Sequence, residues 1–297
     1  MDQVPAIRTT GLTKDYGGGH GLFELDLEVR RGEVFGYIGP NGAGKTTTIR
    51  LLMDLVRPDR GRAEVFGLDC HERSVEVKRI TGYLPGELPD LGGATGEEVL
   101  GLLASLRGGV DRKRRQELAA TLQLDLTRRY RDYSHGNKQK LLLVQAFMHE
   151  PKVLLLDEPT LGLDPVVQQS FRRIVHEAAD RGATVFLSSH VLSEVEQDCD
   201  RIAVLWDGRL REVGSMAELR HLTTHRVDAV LERDPDLKAL EATEGVSALT
   251  LDDHHLRCSV QGAMSSFLAA LEPAGIVELD SQELSLEELF LAEYAKR

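Results

Sequence analysis

Cysteine is scarce in this sequence: Cys70, Cys199 and Cys258 stand far apart and form no C-x-x-C pair. So few, in odd number, exclude a disulfide framework and read as reduced thiols. Long apolar runs are also missing. No window of about 18 residues is both predominantly apolar and free of charge, so no bilayer-spanning segment is expected. If the protein works at a membrane, another chain must supply the spanning part. Residues Met1 to Pro5 lack a basic region followed by an apolar stretch, so no signal peptide is expected. Basic charge is short, with 36 Lys and Arg against 48 Asp and Glu and a net charge of -12. That balance argues against a dedicated nucleic-acid binder. It leaves nucleotide binding open, because a phosphate site needs only local N–H groups and one or two cations. No internal repeat or low-complexity tract occurs. What is present is apolar residue at 41% over 297 positions, enough to bury a sizeable core in one large domain or two unequal ones.

The apolar residues are patterned. Phe23, Leu25, Leu27 and Val29 alternate with Glu24, Asp26 and Glu28, which predicts a half-buried antiparallel strand. Val34, Phe35, Tyr37 and Ile38 are apolar on both faces, as in a covered sheet. A Gly-rich turn follows, then an apolar-periodic helix (Ile49, Leu52, Met53, Val56) expected to run on until Pro58. Residues 88–150 are predicted to be mostly helical, with the basic run Arg112 to Arg115 as a solvated helix face. Strands are expected over 153–156 and 185–187, with a helix between them capped by Asp164 and opened by Pro165. Residues 201–213 read as a hairpin turning at Asp207-Gly208. Strands alternating with helices predict an α/β core with a parallel sheet. After Gly214 the composition shifts. Residues 226–281 parse as β-α-β-β-α-β, a ferredoxin-like order, and a final helix is expected over 284–294.

Three motifs carry chemistry. Gly39-Pro40-Asn41-Gly42-Ala43-Gly44-Lys45-Thr46 matches G-x-x-x-x-G-K-[ST] in full, between a strand and a helix. Its glycines let successive N–H groups point at phosphate oxygens, and the helix aims its positive end at the same place. Gly39, Asn41, Gly42, Ala43, Gly44, Lys45, Thr46 and Thr47 are therefore expected to hold a nucleotide. Lys45 reaches the β- and γ-phosphates, and the Thr46 hydroxyl binds Mg2+. Val153-Leu154-Leu155-Leu156-Asp157-Glu158 is an apolar strand in the middle of the sheet ending in two carboxylates. Asp157 is expected to hold Mg2+ through water and Glu158 to act as general base. Tyr133-Ser134-His135-Gly136-Asn137 precedes an apolar helix. Ser134 can cap it and Gly136 permits close approach, so its N-terminus is a second anion site.

In order and spacing these motifs resemble the ATP-binding subunit of ATP-binding cassette (ABC) transporters, a P-loop NTPase fold. Residues 133–137 stand where that family has Leu-Ser-Gly-Gly-Gln, with His135 and Asn137 as departures and Ser134 and Gly136 kept. The resemblance implies that Ser134, Gly136 and Asn137 contact the nucleotide of a partner copy. It also implies that Gly162-Leu163-Asp164 meets that partner, that His190 senses the γ-phosphate and that Tyr16 stacks on adenine. It covers residues 5–214. A second departure is Gly86, after Gly82-Tyr83-Leu84-Pro85, where the family has glutamine; that role would pass to Glu87 or to backbone-bound water. The nearest branch exports drugs or antibiotics through a separately encoded permease, and residues 133–140 and the tail Ser285-Leu286-Glu287-Glu288-Leu289-Phe290 resemble it.

The resemblance implies an ATPase using ATP and Mg2+, with catalytic Glu158, His190 and Lys45 and metal contacts at Thr46 and Asp157. Residues 1–215 would form the ATP-binding domain, with a helical subdomain over about 88–150, and residues 216–297 a small α+β accessory domain. Two copies would pair head to tail around two ATPs, beneath an integral membrane permease gripped near residues 86–105. The protein would then sit peripherally on the cytoplasmic face of the membrane. Two other readings stay open: a cassette ATPase without a permease, and a nucleotide-binding regulator that does not hydrolyse.

Overall fold

In the computed structural model, which describes residues 4–215, 217–219 and 224–283, the chain opens with β1 (Ile7–Asp15) and β2 (Gly21–Val29). These pair antiparallel. The alternation in β2 buries Leu25, Leu27 and Val29 and leaves Glu24, Asp26 and Glu28 exposed, as a one-sided sheet requires. β3 (Val34–Ile38) is buried along its whole length and leads through a loop into α1 (Lys45–Leu52). α1 stops short of the expected end before Pro58, because Asp54 turns left-handed at φ 48°. The Leu55 N–H closes the turn by donating to the Arg50 carbonyl at 2.9 Å, and the Asp54 carboxylate lies 3.1 Å from Nδ1 of His71.

β4 (Arg60–Val65) and β5 (Leu68–Asp69) complete an antiparallel sheet of order β2-β1-β4-β5. Then come α2 (Ser74–Ile80), β6 (Thr81–Leu84), α3 (Gly96–Leu106), α4 (Arg112–Thr121) and α5 (His135–Phe147). A capping box between Thr95 and Glu98 starts α3. On α4 the basic run is split and not uniformly solvated. The side chains of Arg112 and Lys113 are 70% and 81% exposed, but that of Arg115 is only 11% exposed. Four consecutive residues span more than one helical turn, so one of them must face inward.

β7 (Val153–Asp157), α6 (Pro165–Asp180), β8 (Thr184–Ser189), α7 (Leu192–Glu196), β9 (Arg201–Trp206) and β10 (Arg209–Gly214) follow. They build a sheet of order β10-β9-β3-β8-β7-β6. From β9 to β6 the neighbours run parallel. β7 is interior, one place from the edge, and fully buried. Asp164 caps α6 with Pro165 at its start, and Asp207 and Gly208 both take positive φ in the turn before β10, as a two-residue hairpin loop demands.

Contacts divide the chain into Met1–Val213 and Gly214–Arg297. The second unit contains β11 (Thr224–Leu231), α8 (Leu237–Glu241), β12 (Val246–Asp252), β13 (His255–Gln261), α9 (Met264–Leu271) and β14 (Ile276–Glu283). Its sheet has the order β12-β13-β11-β14, antiparallel throughout. Val227, Ala229, Leu256, Val260, Phe267 and Leu271 form its core. The helix expected over 284–294, with the tail motif at 285–290, lies outside the described residues.

Candidate active site

The C-terminal ends of β3, β7 and β8 converge where an open parallel sheet places its ligands. The loop after β3 closes on itself through Gly44, whose φ of 103° only glycine adopts freely, so that α1 can begin at Lys45. Lys45 is 6% exposed. Its Nζ donates to the carbonyls of Gly39 (2.6 Å) and Pro40 (3.2 Å). The loop thus holds the ammonium ready with backbone acceptors.

A cleft of about 370 Å³ opens over this loop, lined by Tyr16, Asn41, Gly42, Gly44, Lys45, Thr46, Thr47 and Glu158. Gly39 and Ala43 stand behind it. Gly39 serves Lys45 through its carbonyl, and Ala43 is buried at 3% with its N–H donated to Pro40. Tyr16 is 54% exposed, so it is a surface ring and not core. Lys14 Nζ lies 5.8 Å from its centroid. His20 and Gly21 also line the cleft, which the motifs passed over. The glycines at 17–19 mark the turn that brings them there, closed by the Tyr16 N–H donating to the His20 carbonyl.

The two carboxylates end β7 in different environments. Asp157 is 1% exposed, and its Oδ1 accepts from Ser188 Oγ at 2.6 Å. Glu158 has φ 49°, a conformation that costs a residue with a β-carbon about 1–2 kcal/mol. Ser188 offsets part of this by accepting the Glu158 N–H at 3.1 Å. Gln139 on α5 adds donors to the carbonyls of Glu158 and Pro159. The turn swings the Glu158 carboxylate into the cleft. There Oε1 lies 3.3 Å from Lys45 Nζ and Oε2 lies 2.9 Å from His190 Nδ1. Three residues from three elements thus meet: Lys45, Glu158 and His190. Sequence alone gives Ser188 no role, because its partners are visible only when β8 lies beside β7.

The residues expected to form a second anion site are not among those lining this cleft. Ser134 caps α5 by accepting the Asn137 N–H at 3.3 Å. Gly136 has a packing reason beyond phosphate approach: a β-carbon there would sit 2.6 Å from the Gly162 carbonyl oxygen. The same test at Gly162 meets His135 at 2.7 Å. Residues 135–136 therefore seat the loop at 162–164 in the same chain. Ser134, Gly136 and Asn137 are not among the cleft's lining residues.

At the position expected to carry glutamine, Gly86 borders the cleft beside Asp157. Glu87 is turned to Arg50 on α1 at 3.1 Å and is 87% exposed. Among the described residues no group of three His, Cys, Asp or Glu side chains is placed to hold a metal alone. A hard cation here must share its ligands with phosphate oxygens, which is how Mg2+ is ordinarily bound. The residues fit that task, since Asp157 Oδ2 is buried without a hydrogen-bond partner behind Gly86, and Gly86 and Thr46 both line the cleft.

The model of the ABC transporter family matches residues 22–161. The chain is similar to the bacitracin transport ATP-binding protein BcrA of Bacillus licheniformis, 38% identical over 69% of this chain and 68% of that protein. It is also similar to the daunorubicin resistance ATP-binding protein DrrA3 of Streptomyces coeruleorubidus, 38% identical over 96% of this chain and 95% of that protein. A solved ATP-binding subunit of an ABC transporter superposes with a TM-score of 0.66 at 31% identity, over 72% of this chain and 92% of that one.

Proposed function

This chain belongs to the ABC transporter family as an ATP-binding, ATP-hydrolysing subunit, and we propose that it powers export of a drug- or antibiotic-like compound through a separate membrane permease. The observation that carries the reading is the meeting of Lys45, Glu158 and His190 at one mouth of the cleft. Tyr16 offers a ring for the adenine. The loop from Asn41 to Thr47 cradles the phosphates at the N-terminus of α1, with Lys45 facing the β- and γ-phosphates. Lys45 leaves its carbonyl partners and Glu158 as phosphate arrives, which frees the Glu158 carboxylate to take a proton from the attacking water. His190, bonded to that carboxylate, orients it and reaches the γ-phosphate.

Mg2+ would be held by Thr46 and, through water, by Asp157; when bound, it neutralises phosphate charge. Residues 1–215 act as the ATP-binding domain and 216–297 as an accessory domain of ferredoxin-like order. Two copies pair head to tail, with Ser134, Gly136 and Asn137 of one closing on the nucleotide held by Lys45 of the other. Among the described residues no helix is long and apolar enough to cross a membrane; the subunit would sit peripherally at the cytoplasmic face. Leu102 and Leu106, spaced one turn apart on α3 and 62% and 75% exposed, support a permease contact beside residues 86–105.

Phosphate release and nucleotide binding by the purified chain test the assignment. Lys45→Ala should nearly abolish ATP binding. Glu158→Gln should keep binding and lower turnover by about 10²–10⁴-fold, the usual contribution of a general base. Native turnover in Glu158→Gln would remove Glu158 as the base.

A further inference from the structure

The two oxygens of Asp157 are not equivalent. Oδ1 accepts from Ser188, while Oδ2 is buried and has no hydrogen-bond partner. A buried carboxylate oxygen left so is unfavourable unless a cation or a donor meets it. The neighbour on that side is Gly86. A β-carbon at position 86 would lie 2.7 Å from Oδ2 and 3.0 Å from Cγ of Asp157, well inside normal contact. Asp157 cannot move aside, since it ends a fully buried strand and Ser188 holds its other oxygen. Any side chain at position 86 therefore presses on the one carboxylate oxygen that is free to serve a ligand. The next residue, Glu87, also lines the cleft, but its side chain is 87% exposed and paired with Arg50 at 3.1 Å.

We propose that Gly86 is a positioning residue for the divalent cation: by presenting no side chain, it leaves Asp157 Oδ2, buried just behind the cleft lining, within reach of a metal-bound water. On the side of residues 86–87 the cation's shell is then completed by solvent, where a side chain would otherwise reach in. Mg2+ suits this arrangement, since it gives up its waters reluctantly and is commonly held by one or two carboxylates plus phosphates. The water donates a hydrogen to Oδ2, which satisfies that oxygen. The inference rests on the reading of the cleft as an ATP site.

The experiment titrates a fluorescent ATP analogue into the full chain in Mg2+ and again in EDTA; the ratio of affinities is the metal's enhancement. In the wild type, binding should be tighter in Mg2+. Gly86→Ala and Gly86→Gln should lose about tenfold or more of that enhancement, the usual loss when an outer partner of a metal is disturbed. Their affinity in EDTA should stay at the wild-type value, which a general folding defect would not allow. Glu87→Ala should keep the full enhancement. Gly86→Gln binding the metal complex as tightly as wild type, or better, would overturn the proposal. So would loss of the enhancement in Glu87→Ala, an exposed change that decides the matter even if neither Gly86 variant folds. A wild type that binds equally in both conditions also overturns it, whereas one that binds in neither overturns the ATP reading itself.

Discussion

His149 sits away from the cleft with its Nε2 3.2 Å from the Thr81 carbonyl and its Nδ1 buried without a partner. Burial, and after it the positive charge of Arg107, push its pKa down to about 4. The folded protein therefore holds His149 neutral at pH 7, while the unfolded chain takes up a proton near the usual pKa of about 6.5. Stability from this group is complete above about pH 6.5 and is lost as the pH falls toward about 4. Thermal melts between pH 7 and pH 5 should show the wild-type midpoint falling, and His149→Gln should fall less steeply. Parallel slopes for the two proteins would show that His149 is not the group responsible. At the same scale Glu158 shows what residue identity conceals. Its chemistry is legible in the Asp157-Glu158 pair, but its left-handed backbone, and hence the direction of its carboxylate, is imposed by Ser188 and Gln139.

Among the elements, α4 departs furthest from its sequence pattern. Arg115 is buried, its Nε and one terminal nitrogen lack hydrogen bonds, and the nearest acid, Glu97, is 3.9 Å away. Such a charge is desolvated without a close counter-ion, which is unfavourable, so an apolar residue of similar length should be tolerated there. Urea unfolding of Arg115→Met should give a midpoint at or above that of wild type. Lys113→Met, on the exposed face, should change it little. A clear loss of stability in Arg115→Met would mean that the guanidinium is better paired than this geometry indicates. α6, by contrast, follows its sequence closely, because Asp164 and Pro165 act within one turn and need no distant partner. α1 ends early in a local turn, where the Leu55 N–H donates to the Arg50 carbonyl around left-handed Asp54, a stop that carries no glycine to announce it.

For the molecule as a whole, the proposed mechanism requires a second copy. Glu158→Gln should leave ATP uncut between Lys45 of one chain and Ser134 of the other, so the variant should elute as a dimer in gel filtration with ATP and as a monomer with ADP. Adding Ser134→Arg should abolish that dimer and leave ATP binding by the monomer nearly intact. A dimer indifferent to Ser134→Arg would remove the head-to-tail arrangement. Within one chain Ser134 and Gly136 already have structural duties, capping α5 and seating residues 162–164. Part of the effect of changing them will therefore appear as lost stability, about 0.5–2 kcal/mol for the cap. Melting of Ser134→Ala beside Ser134→Arg separates the two contributions.

Sequence alone determined what is local or periodic. The alternation of β2, the apolar runs of β3 and β7, the cap of α6 and the glycines that let the loop wrap around Lys45 all act between near neighbours. Their consequences can be read in order along the chain. Only the tertiary structure decided the contacts that join distant segments. It set Glu158 between Lys45 and His190, 113 and 32 residues away along the chain. It turned Glu87 out to Arg50 and left Gly86 against Asp157. It also drew Arg115 inside while Arg112 and Lys113 stayed in water. Residue types and spacing carry the chemistry a side chain can do; which groups share a buried, low-dielectric space depends on the packing of β3, β7 and β8 side by side, and that packing is written in no single stretch of the chain.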